Sequence, residues 1–350
     1  MEDFRVKAPT RVDLAGGTLD IWPLHTLIGK VRTINLSIDL HASSTFQFAP
    51  AKSFSVTVIS ANETFNWKAP MTLAECHALA PALRFPVWVV NEYVGPKKDL
   101  PPHQITLRVG SEAPLRSGLG GSSCLAVTIA RGLSRIFNEF VDLGWQWRML
   151  EWVKDVEAAF IRTPTGTQDY LASLFGGLNC FVTGMGTKER EEYPEGVLSE
   201  LNDRMVVLFS GEMHHSGLSN WEIFKSAFEG KAEIIKGLSA IRSVADQLHG
   251  ELRSGNLSWK HIGSHFNEEW SIRKEVFRVN TPRLDELIDF MRAQKVYGVK
   301  VCGAAAGGSL IALVDPQKRK DLVRACEAQG IQVLKTTGIR QGVHQESLKG

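Results

Sequence analysis

The sequence predicts an α+β protein with two domains, on the strength of three observations. Strand-like and helical segments occur in separate runs rather than in strict strand–helix–strand alternation, which is typical of the α+β class. The chain has 350 residues, and a domain usually takes roughly 100–200 residues. The charged segment "TKEREEYPEG" (residues 187–196) indicates a solvated turn and a junction. We therefore expect one domain over residues 1–190 and a second over residues 191–350.

The first predicted domain begins with strands and continues with helices. Alternating runs rich in β-branched residues predict strands at residues 54–60 and 104–109. Apolar residues at helical spacing predict three helices after them. These helices lie at residues 122–138, at residues 143–161 and after Gly166. The segment "GGLNCFVTG" (residues 176–184) then returns to strand character.

The second predicted domain mixes apolar strands with longer helices. Strands are predicted at residues 204–210, at residues 308–314 and in "IQVLKT". Apolar stripes predict helices at residues 220–248, 259–277, 281–294 and 317–329. We find no internal repeat and no low-complexity segment.

The composition excludes several classes of function. A net charge of +2 offers no basic field for nucleic acid or an anionic membrane. The five cysteines are scattered without a CxxC pair, which argues against zinc and against a disulfide framework. No apolar run reaches transmembrane length, and the first residues do not resemble a signal peptide. We expect a cytoplasmic protein that binds neither nucleic acid nor membrane.

The segment "PLRSGLGGSSCLAV" (residues 114–127) places three glycines directly before a predicted helix. Bare glycines expose backbone N–H groups, and a helix N-terminus adds about half a positive charge, so the segment predicts a phosphate site. Ser122 and Ser123 can offer hydroxyls to phosphate or Mg²⁺. The Walker pattern GxxxxGK[ST] and the dinucleotide pattern GxGxxG are both absent. The alternative is a flexible turn with a serine cap.

Three further segments combine small residues with charged ones. "KAPTRVDLAGGTLDIWPL" (residues 7–24) carries Arg11, Asp13 and Asp20 around a Gly-Gly turn, and its alternative is a plain hairpin. "EAAFIRTPTGTQDYLASLFGGLN" (residues 157–179) places Asp169 in the first turn of a helix, where an acid is also a favourable dipole partner. Glu157 lies on the preceding helix. "VKVCGAAAGGSLIALV" (residues 299–314) permits close backbone approach, or is a tight strand connection.

Two other groups of residues have less specific interpretations. His214 and His215 can contact a sugar or phosphate, or simply lie at a solvated helix entry. Trp145, Trp147 and Trp152 are predicted to pack a helix into the core rather than to stack on a base.

With all four segments in this order, the chain resembles the GHMP kinase superfamily, and most closely its D-glycero-D-manno-heptose phosphate kinase and L-fucose kinase branch. "PLRSGLGGSSC" is similar to the family's P-x-x-x-G-L-G/S-S-S-A phosphate loop with one extra small residue, Gly121. "RVDLAGGTLD" resembles the branch's "RISFAGGGTDL" stretch, and "TGTQDYLASLFGGLN" resembles its "GGKQDQY…FGGxN". "KVCGAAAGG" resembles the third motif, KxxGAGGG.

The resemblance implies a two-domain GHMP kinase fold. Its N-terminal ATP-binding domain would be of the ribosomal-protein-S5-like type, and its C-terminal domain would be ferredoxin-like α+β. It implies ATP and Mg²⁺ as cofactors, with Asp169 and Arg11 as catalytic residues and Ser123 and Glu157 as metal ligands. The residues implied for ATP are Pro114, Ser117, Gly118, Leu119, Gly120, Gly121, Ser122 and Ser123. The residues implied for substrate are Asp20, Gly17, Thr18, Gly303, Ala304 and Gly307.

The implied reaction is ATP-dependent phosphorylation of a sugar, at the anomeric hydroxyl of a heptose, heptose phosphate or related sugar. Gly17-Thr18 replaces the Glu-His pair of galactokinase, which argues against ordinary galactose recognition. Thr167 replaces the lysine of "GGKQD", which favours an unphosphorylated sugar. The alternatives are a non-catalytic ATP and sugar sensor, or a GHMP kinase for a non-sugar alcohol such as mevalonate. We expect a monomer or homodimer, and no motif marks the adenine pocket.

Overall fold

The strand-rich start of the chain builds one large sheet. The computed structural model describes residues 2–212, 216–303 and 308–348, with backbone only for residues 216–219. Within these ranges the sheet has eight strands. They are β1 Phe4–Ala15, β2 Val31–Pro50, β3 Ser55–Ser60, β4 Glu63–Trp67, β5 His103–Ser111, β6 Leu178–Gly184, β7 Thr187–Glu192 and, from the end of the chain, β12 His344–Ser347.

The long strand β2 organises this sheet. The main path runs β12-β1-β2-β5-β3-β4. The first part of β2 also pairs with β6, and its second part pairs with β5. β1 runs antiparallel to β2 along most of its length, with irregular register after Pro9 and after Asp13. The second half of β1 therefore carries its side chains into the centre of the molecule.

Helices cover the first sheet and form its core. They are α1 His25–Ile28, α2 Leu73–Ala78, α3 Pro81–Val94, α4 Gly121–Ile136, α5 Leu143–Ile161 and α6 Gln168–Phe175. α4 lies directly on β2, because a Cβ at Gly132 would come within 2.0 Å of the Phe46 ring. Trp145 is buried in this core, and Trp147 and Trp152 pack against it, as predicted.

The second half of the chain forms a smaller antiparallel sheet with helices. Its strands are β8 Met205–Phe209, β9 Gly298–Val301, β10 Ser309–Leu313 and β11 Gln332–Leu334. Its helices are α7 Glu195–Arg204, α8 Ser216–Phe228, α9 Ala232–Ser254, α10 Trp259–Ile272, α11 Pro282–Ala293 and α12 Arg319–Ala328. The strand order β11-β8-β10-β9 is that of a ferredoxin-like β-α-β-β-α-β unit. The two-domain α+β prediction is confirmed.

Two shorter helical segments extend these elements. α10 continues as a π-helix, Arg273–Phe277, and a 3₁₀ turn, Pro316–Lys318, precedes α12. Two apolar clusters of the described residues join the domains: one contains Val12 of β1 and Phe266 of α10, and the other contains Val31 of β2 and Leu208 of β8. None of the helices in the described ranges has the length and apolar character needed to span a bilayer.

Local predictions fail in several places. The charged segment predicted as a turn contains β7, an edge strand that pairs with β6, and charged residues are common on exposed edges. The helix predicted over residues 220–248 is two helices, interrupted where Gly230 has a φ of +79°. α3 was not predicted. The boundary at residues 190 and 191 stays a prediction, and β12 returns to the first sheet.

Candidate active site

The loop between β5 and α4 has the backbone conformation that an anion site requires. Gly118 and Gly120 have φ values of +72° and +79°, a region that favours glycine. A Cβ at Gly120 would approach the Asp169 carboxyl carbon to 3.0 Å. α4 begins at Gly121 and has no side-chain cap, so its first N–H groups remain available to an anion.

Both domains hold this loop in position. Leu119 O accepts a hydrogen bond from Arg11 N at 3.1 Å, and Ser117 O accepts one from Ser309 N at 2.7 Å. Ser117 N in turn donates to Pro114 O at 3.1 Å. A Cβ at Gly303 would lie 3.0 Å from Gly118 O. The third glycine-rich segment therefore approaches the phosphate loop.

Arg11 and Asp169 form an ion pair beside the same loop. Arg11 is buried, and its Nη2 lies 2.5 Å from Asp169 Oδ1. Its Nη1 donates to Gly118 O at 2.5 Å. Burial alone would lower the pKa of Arg11, but the charges of Asp169 and Asp13 raise it above its ordinary value. The Asp169 side chain keeps 23% of its surface exposed, so the pair is open on one side.

Glu157 and Ser123 also come together, with a third residue that the sequence did not reveal. Ser123 Oγ donates to Glu157 Oε2 at 2.7 Å, and the Tyr170 hydroxyl donates to the same oxygen at 2.5 Å. Burial raises the pKa of Glu157, and the two hydroxyls oppose that shift. These hydroxyl and carboxylate oxygens suit Mg²⁺, which prefers oxygen ligands. Only the position of Tyr170 next to Asp169 hints at it in the sequence.

Asp20 lies at the N-terminus of α6. Its Oδ2 accepts hydrogen bonds from the backbone N–H groups of Thr167 at 2.5 Å and Gln168 at 2.8 Å. Its buried Oδ1 accepts no hydrogen bond from the residues that the structure describes. The pKa of Asp20 is raised to about 6. Burial is the largest cause and the charge of Asp169 adds to it, whereas the hydrogen bonds from Gln168 and Thr167 act in the opposite direction. A Cβ at Gly166 would lie 2.4 Å from Oδ2, so glycine is required there.

The Gly-Gly turn before Asp20 is held by the second domain. Gly16 N donates to Glu269 Oε2 at 3.1 Å, and Gly17 O accepts from Arg273 Nη2 at 2.7 Å. Thr18, with a φ of +80°, donates its hydroxyl to Asn220 Oδ1 at 3.1 Å. The polar groups of Gly17 and Thr18 that make these bonds are therefore engaged within the protein. Their predicted contact with substrate stays a prediction.

A fully buried charge network supports this turn. Lys300 Nζ lies 2.8 Å from Glu269 Oε1 and 3.3 Å from Asp13 Oδ2, and Arg273 Nε donates to Glu269 Oε1 at 2.9 Å. Burial raises the pKa of Asp13, whereas Lys300 and Arg273 lower that of Glu269 against its own burial. Of this network only Asp13 is a residue that the sequence singled out, and the four-residue spacing of Glu269 and Arg273 is the signal that could have indicated its partners.

A cavity of about 650 Å³ opens beside Asp20 and Thr167. Trp22 and Trp147 are among the aromatic residues of its wall. Its two lysines are ion-paired with Glu151: Lys154 lies at 2.7 Å, and Lys188 is also in contact. Ala304, Gly307, His214 and His215 lie outside the described residues.

A glycine-rich loop at a helix N-terminus, with an Arg–Asp pair beside it, is an arrangement typical of phosphotransferase sites. The models of the GHMP kinase N-terminal and C-terminal domains match residues 86–177 and 248–332. The chain belongs to the GHMP kinase family.

Several proteins are similar to this chain over most of its length. The D-glycero-alpha-D-manno-heptose 7-phosphate kinase of Campylobacter jejuni is 24% identical over 98% of both chains. The bifunctional fucokinase/GDP-fucose pyrophosphorylase of Arabidopsis thaliana is 23% identical over 92% of this chain and 31% of its own length. The crystal structure of a D-glycero-D-manno-heptose 1-phosphate kinase from Bacteriodes thetaiotaomicron has a TM-score of 0.75, with 20% identity, and the match covers 99% of this chain and 100% of that one.

Proposed function

We propose that this protein transfers the γ-phosphate of ATP to a hydroxyl of a sugar. The observation that carries the proposal is the Arg11–Asp169 pair, which lies against Gly118 and Gly120 of the phosphate loop on one side. On the other side Asp169 directly follows Gln168, whose backbone N–H donates to Asp20 Oδ2 at 2.8 Å. A phosphate donor and a polyol acceptor can therefore reach the same carboxylate.

At the nucleotide end, the loop from Pro114 to Ser123 would bind the ATP phosphates through backbone N–H groups. Ser123 and Glu157 would hold Mg²⁺, which supplies charge neutralisation to the phosphates when bound. Glu157 must be ionised for this role. Its raised pKa means that ionisation and metal binding favour each other.

At the reacting centre, Asp169 would accept the proton of the attacking sugar hydroxyl. A positioned base of this kind contributes typically about 10²–10⁴-fold. Arg11 holds the carboxylate at 2.5 Å and stays charged, so it can also stabilise negative charge on the transferred group. Asp169 and Arg11 would position the reacting groups and neutralise their negative charge, which is most of what phosphoryl transfer needs from a protein.

At the sugar end, Asp20 Oδ1 is the free acceptor for a substrate hydroxyl. The adjoining cavity has room for the rest of the sugar, and Trp22 and Trp147 offer apolar ring surface. The two lysines of the cavity wall, Lys154 and Lys188, are balanced by the carboxylates of Asp20, Glu151 and Glu189 on the same wall, and Thr167 offers no charge. This wall favours a neutral heptose or related sugar over one that carries a phosphate. The resemblance to heptose phosphate and fucose kinases implies that the phosphate goes to the anomeric hydroxyl.

The test is an ADP-release assay over heptoses, fucose, galactose, mannose, their phosphates and mevalonate. We expect a neutral sugar to give the highest kcat/KM, with the product phosphate coupled to the anomeric carbon by NMR. ATP binding without turnover on any of them would favour the sensor instead. Turnover on mevalonate alone would contradict a sugar acceptor.

We also propose that the enzyme works in the cytoplasm as a monomer or homodimer. All five cysteines are buried free thiols, which suits a reducing compartment. Light scattering of the purified chain would determine the oligomeric state.

A further inference from the structure

The hairpin of α9 and α10 brings two histidines and a glutamate together, away from the site described above. His261 and His265 lie four residues apart on α10, so both rings leave the same face of the helix. Their ring centroids are 4.9 Å apart. Glu251 reaches them from α9. One ring nitrogen of each histidine and one oxygen of Glu251 lie within 4.8 Å of one another.

The contacts within this cluster leave some of its polar atoms unsatisfied. A single oxygen, Glu251 Oε1, contacts His265 Nε2 at 2.9 Å and also His261 Nδ1. Glu251 Oε2 and His265 Nδ1 are buried, and neither has a hydrogen-bond partner within the described ranges. Buried polar atoms are normally hydrogen-bonded, so the surrounding protein does not satisfy the cluster by itself.

The tautomers of a neutral His265 indicate how a further ligand would satisfy the cluster. A neutral imidazole has one N–H and one lone pair. If His265 donates from Nε2 to Glu251, its Nδ1 lone pair faces Glu268 Oε2, 4.0 Å away, and two acceptors oppose each other. If Nε2 ligates a metal ion, Nδ1 carries the proton and faces the Glu268 carboxylate. Metal-bound histidines commonly donate their other N–H to a carboxylate in this way.

We propose that Glu251, His261 and His265 bind a Zn²⁺-like transition-metal ion. Two imidazoles and a carboxylate suit Zn²⁺, whereas Mg²⁺ takes oxygen ligands, so this site is chemically distinct from the proposed Mg²⁺ site. The His265 side chain is 3% exposed and fixes the inner ligand. The His261 side chain is 63% exposed and leaves an entry path, with the fourth position open to water.

The position of the site indicates a structural role. Glu269 lies one turn beyond His265 on α10 and accepts the Gly16 N–H. An ion that joins α9 to α10 would therefore brace the helix that supports the Gly-Gly turn. The proposal does not depend on kinase activity, because the cluster contains none of the proposed catalytic residues.

The experiment is a calorimetric titration of the chelator-treated full chain with Zn²⁺ in excess Mg²⁺. We expect one saturable site per chain and a rise in melting temperature on binding. Co²⁺ should give the visible absorption of a four-coordinate site. His261→Ala changes an exposed ring, so the variant should fold. Its Zn²⁺ affinity should fall by at least the 10–100-fold, roughly, that follows the loss of a carboxylate hydrogen-bonded to a metal ligand.

Two further variants complete the test. Glu268→Gln should weaken Zn²⁺ binding by about 10–100-fold, and His103→Ala, a histidine on β5, should leave it unchanged. The proposal is overturned if no saturable site is found in excess Mg²⁺, or if His261→Ala binds Zn²⁺ as the native chain does. Loss of binding in Glu157→Gln but not in His261→Ala would mean that the ion binds at the active site, which also overturns it.

Discussion

Two ionic clusters lie side by side on β1 and differ in whether a ligand can reach their charged groups. Arg11 and Asp13 are two residues apart, so their side chains leave the same face of the strand. Asp13 belongs to the network with Lys300, which is fully buried. Arg11 pairs with Asp169, which stays partly exposed, and Arg11 Nε finds no hydrogen-bond partner in the described part of the chain.

The difference separates two uses of buried charge. In the closed network, Lys300 lies near both carboxylates and Glu269 contacts both cations, so the charges balance one another within the described residues, although Asp13 Oδ1 accepts no hydrogen bond there. Such a network holds backbone in place, here the Gly-Gly turn before Asp20. In the open pair, Arg11 Nε can still donate a hydrogen bond to a ligand, as Asp20 Oδ1 can still accept one, because neither atom has a partner among the described residues. Substitutions in the open pair should change turnover, and substitutions in the closed network should change stability.

The largest expected effect is on turnover. Asp169→Asn keeps the size of the side chain but removes the base, so we expect kcat to fall by about 10²–10⁴-fold with ATP affinity retained. Asp155→Asn is the matched control, because that side chain is 73% exposed on α5. Steady-state kinetics and nucleotide titration measure the two quantities. Turnover close to that of the native chain would remove Asp169 from the mechanism.

The closed network should respond in stability instead. Glu269→Gln leaves Lys300 and Arg273 buried with less compensation, and breaking a buried pair costs about 3–5 kcal/mol. Denaturant unfolding measures the change in the free energy of unfolding. Glu286→Gln, at a side chain that is 67% exposed, should stay within about 0.5 kcal/mol. If both variants lose the same free energy of unfolding, the buried network does not stabilise the fold.

A smaller effect is expected on the Mg²⁺ requirement. Glu157→Gln removes one charged ligand, and a hydrogen bond or contact to a charged group is worth about 1.5–3 kcal/mol. The Mg²⁺ concentration for half-maximal activity should therefore rise by about 10–100-fold. Tyr170→Phe, which removes only a hydroxyl donor to Glu157, is the comparison variant and should raise it less. An unchanged magnesium titration would argue against Glu157 as a ligand.

The smallest effect is a pH dependence of sugar binding. Asp20 has a pKa of about 6, so its carboxylate protonates as the pH falls below that value. The KM for sugar should rise by about tenfold one pH unit below this pKa, and it should be flat in Asp20→Asn. Because the folded pKa is raised, the contribution of Asp20 to stability is complete near pH 4 and is lost as the pH rises through 6. A pH-independent KM would exclude Asp20 as the acceptor.

Local sequence determined much of the fold and the phosphate loop. α5 begins and ends where it was predicted, because Asp142 caps its first turn through a hydrogen bond to Trp145 N. The glycines of the phosphate loop and the acid in the first turn of α6 are also local features. Their conformations depend on neighbouring residues, so a short stretch of sequence carries the signal.

Tertiary structure alone decided which residues support that site. Lys300 and Asp13 are 287 positions apart, and Arg273 reaches Gly17 across 256 positions. β12 returns to pair with β1, and the cavity beside Asp20 takes its wall from several separate segments. No local propensity encodes such pairings, because burial and the packing of one domain on the other create them. The sequence by itself determined the reactive groups, and the tertiary structure decided which of them are closed off and which remain open to a substrate.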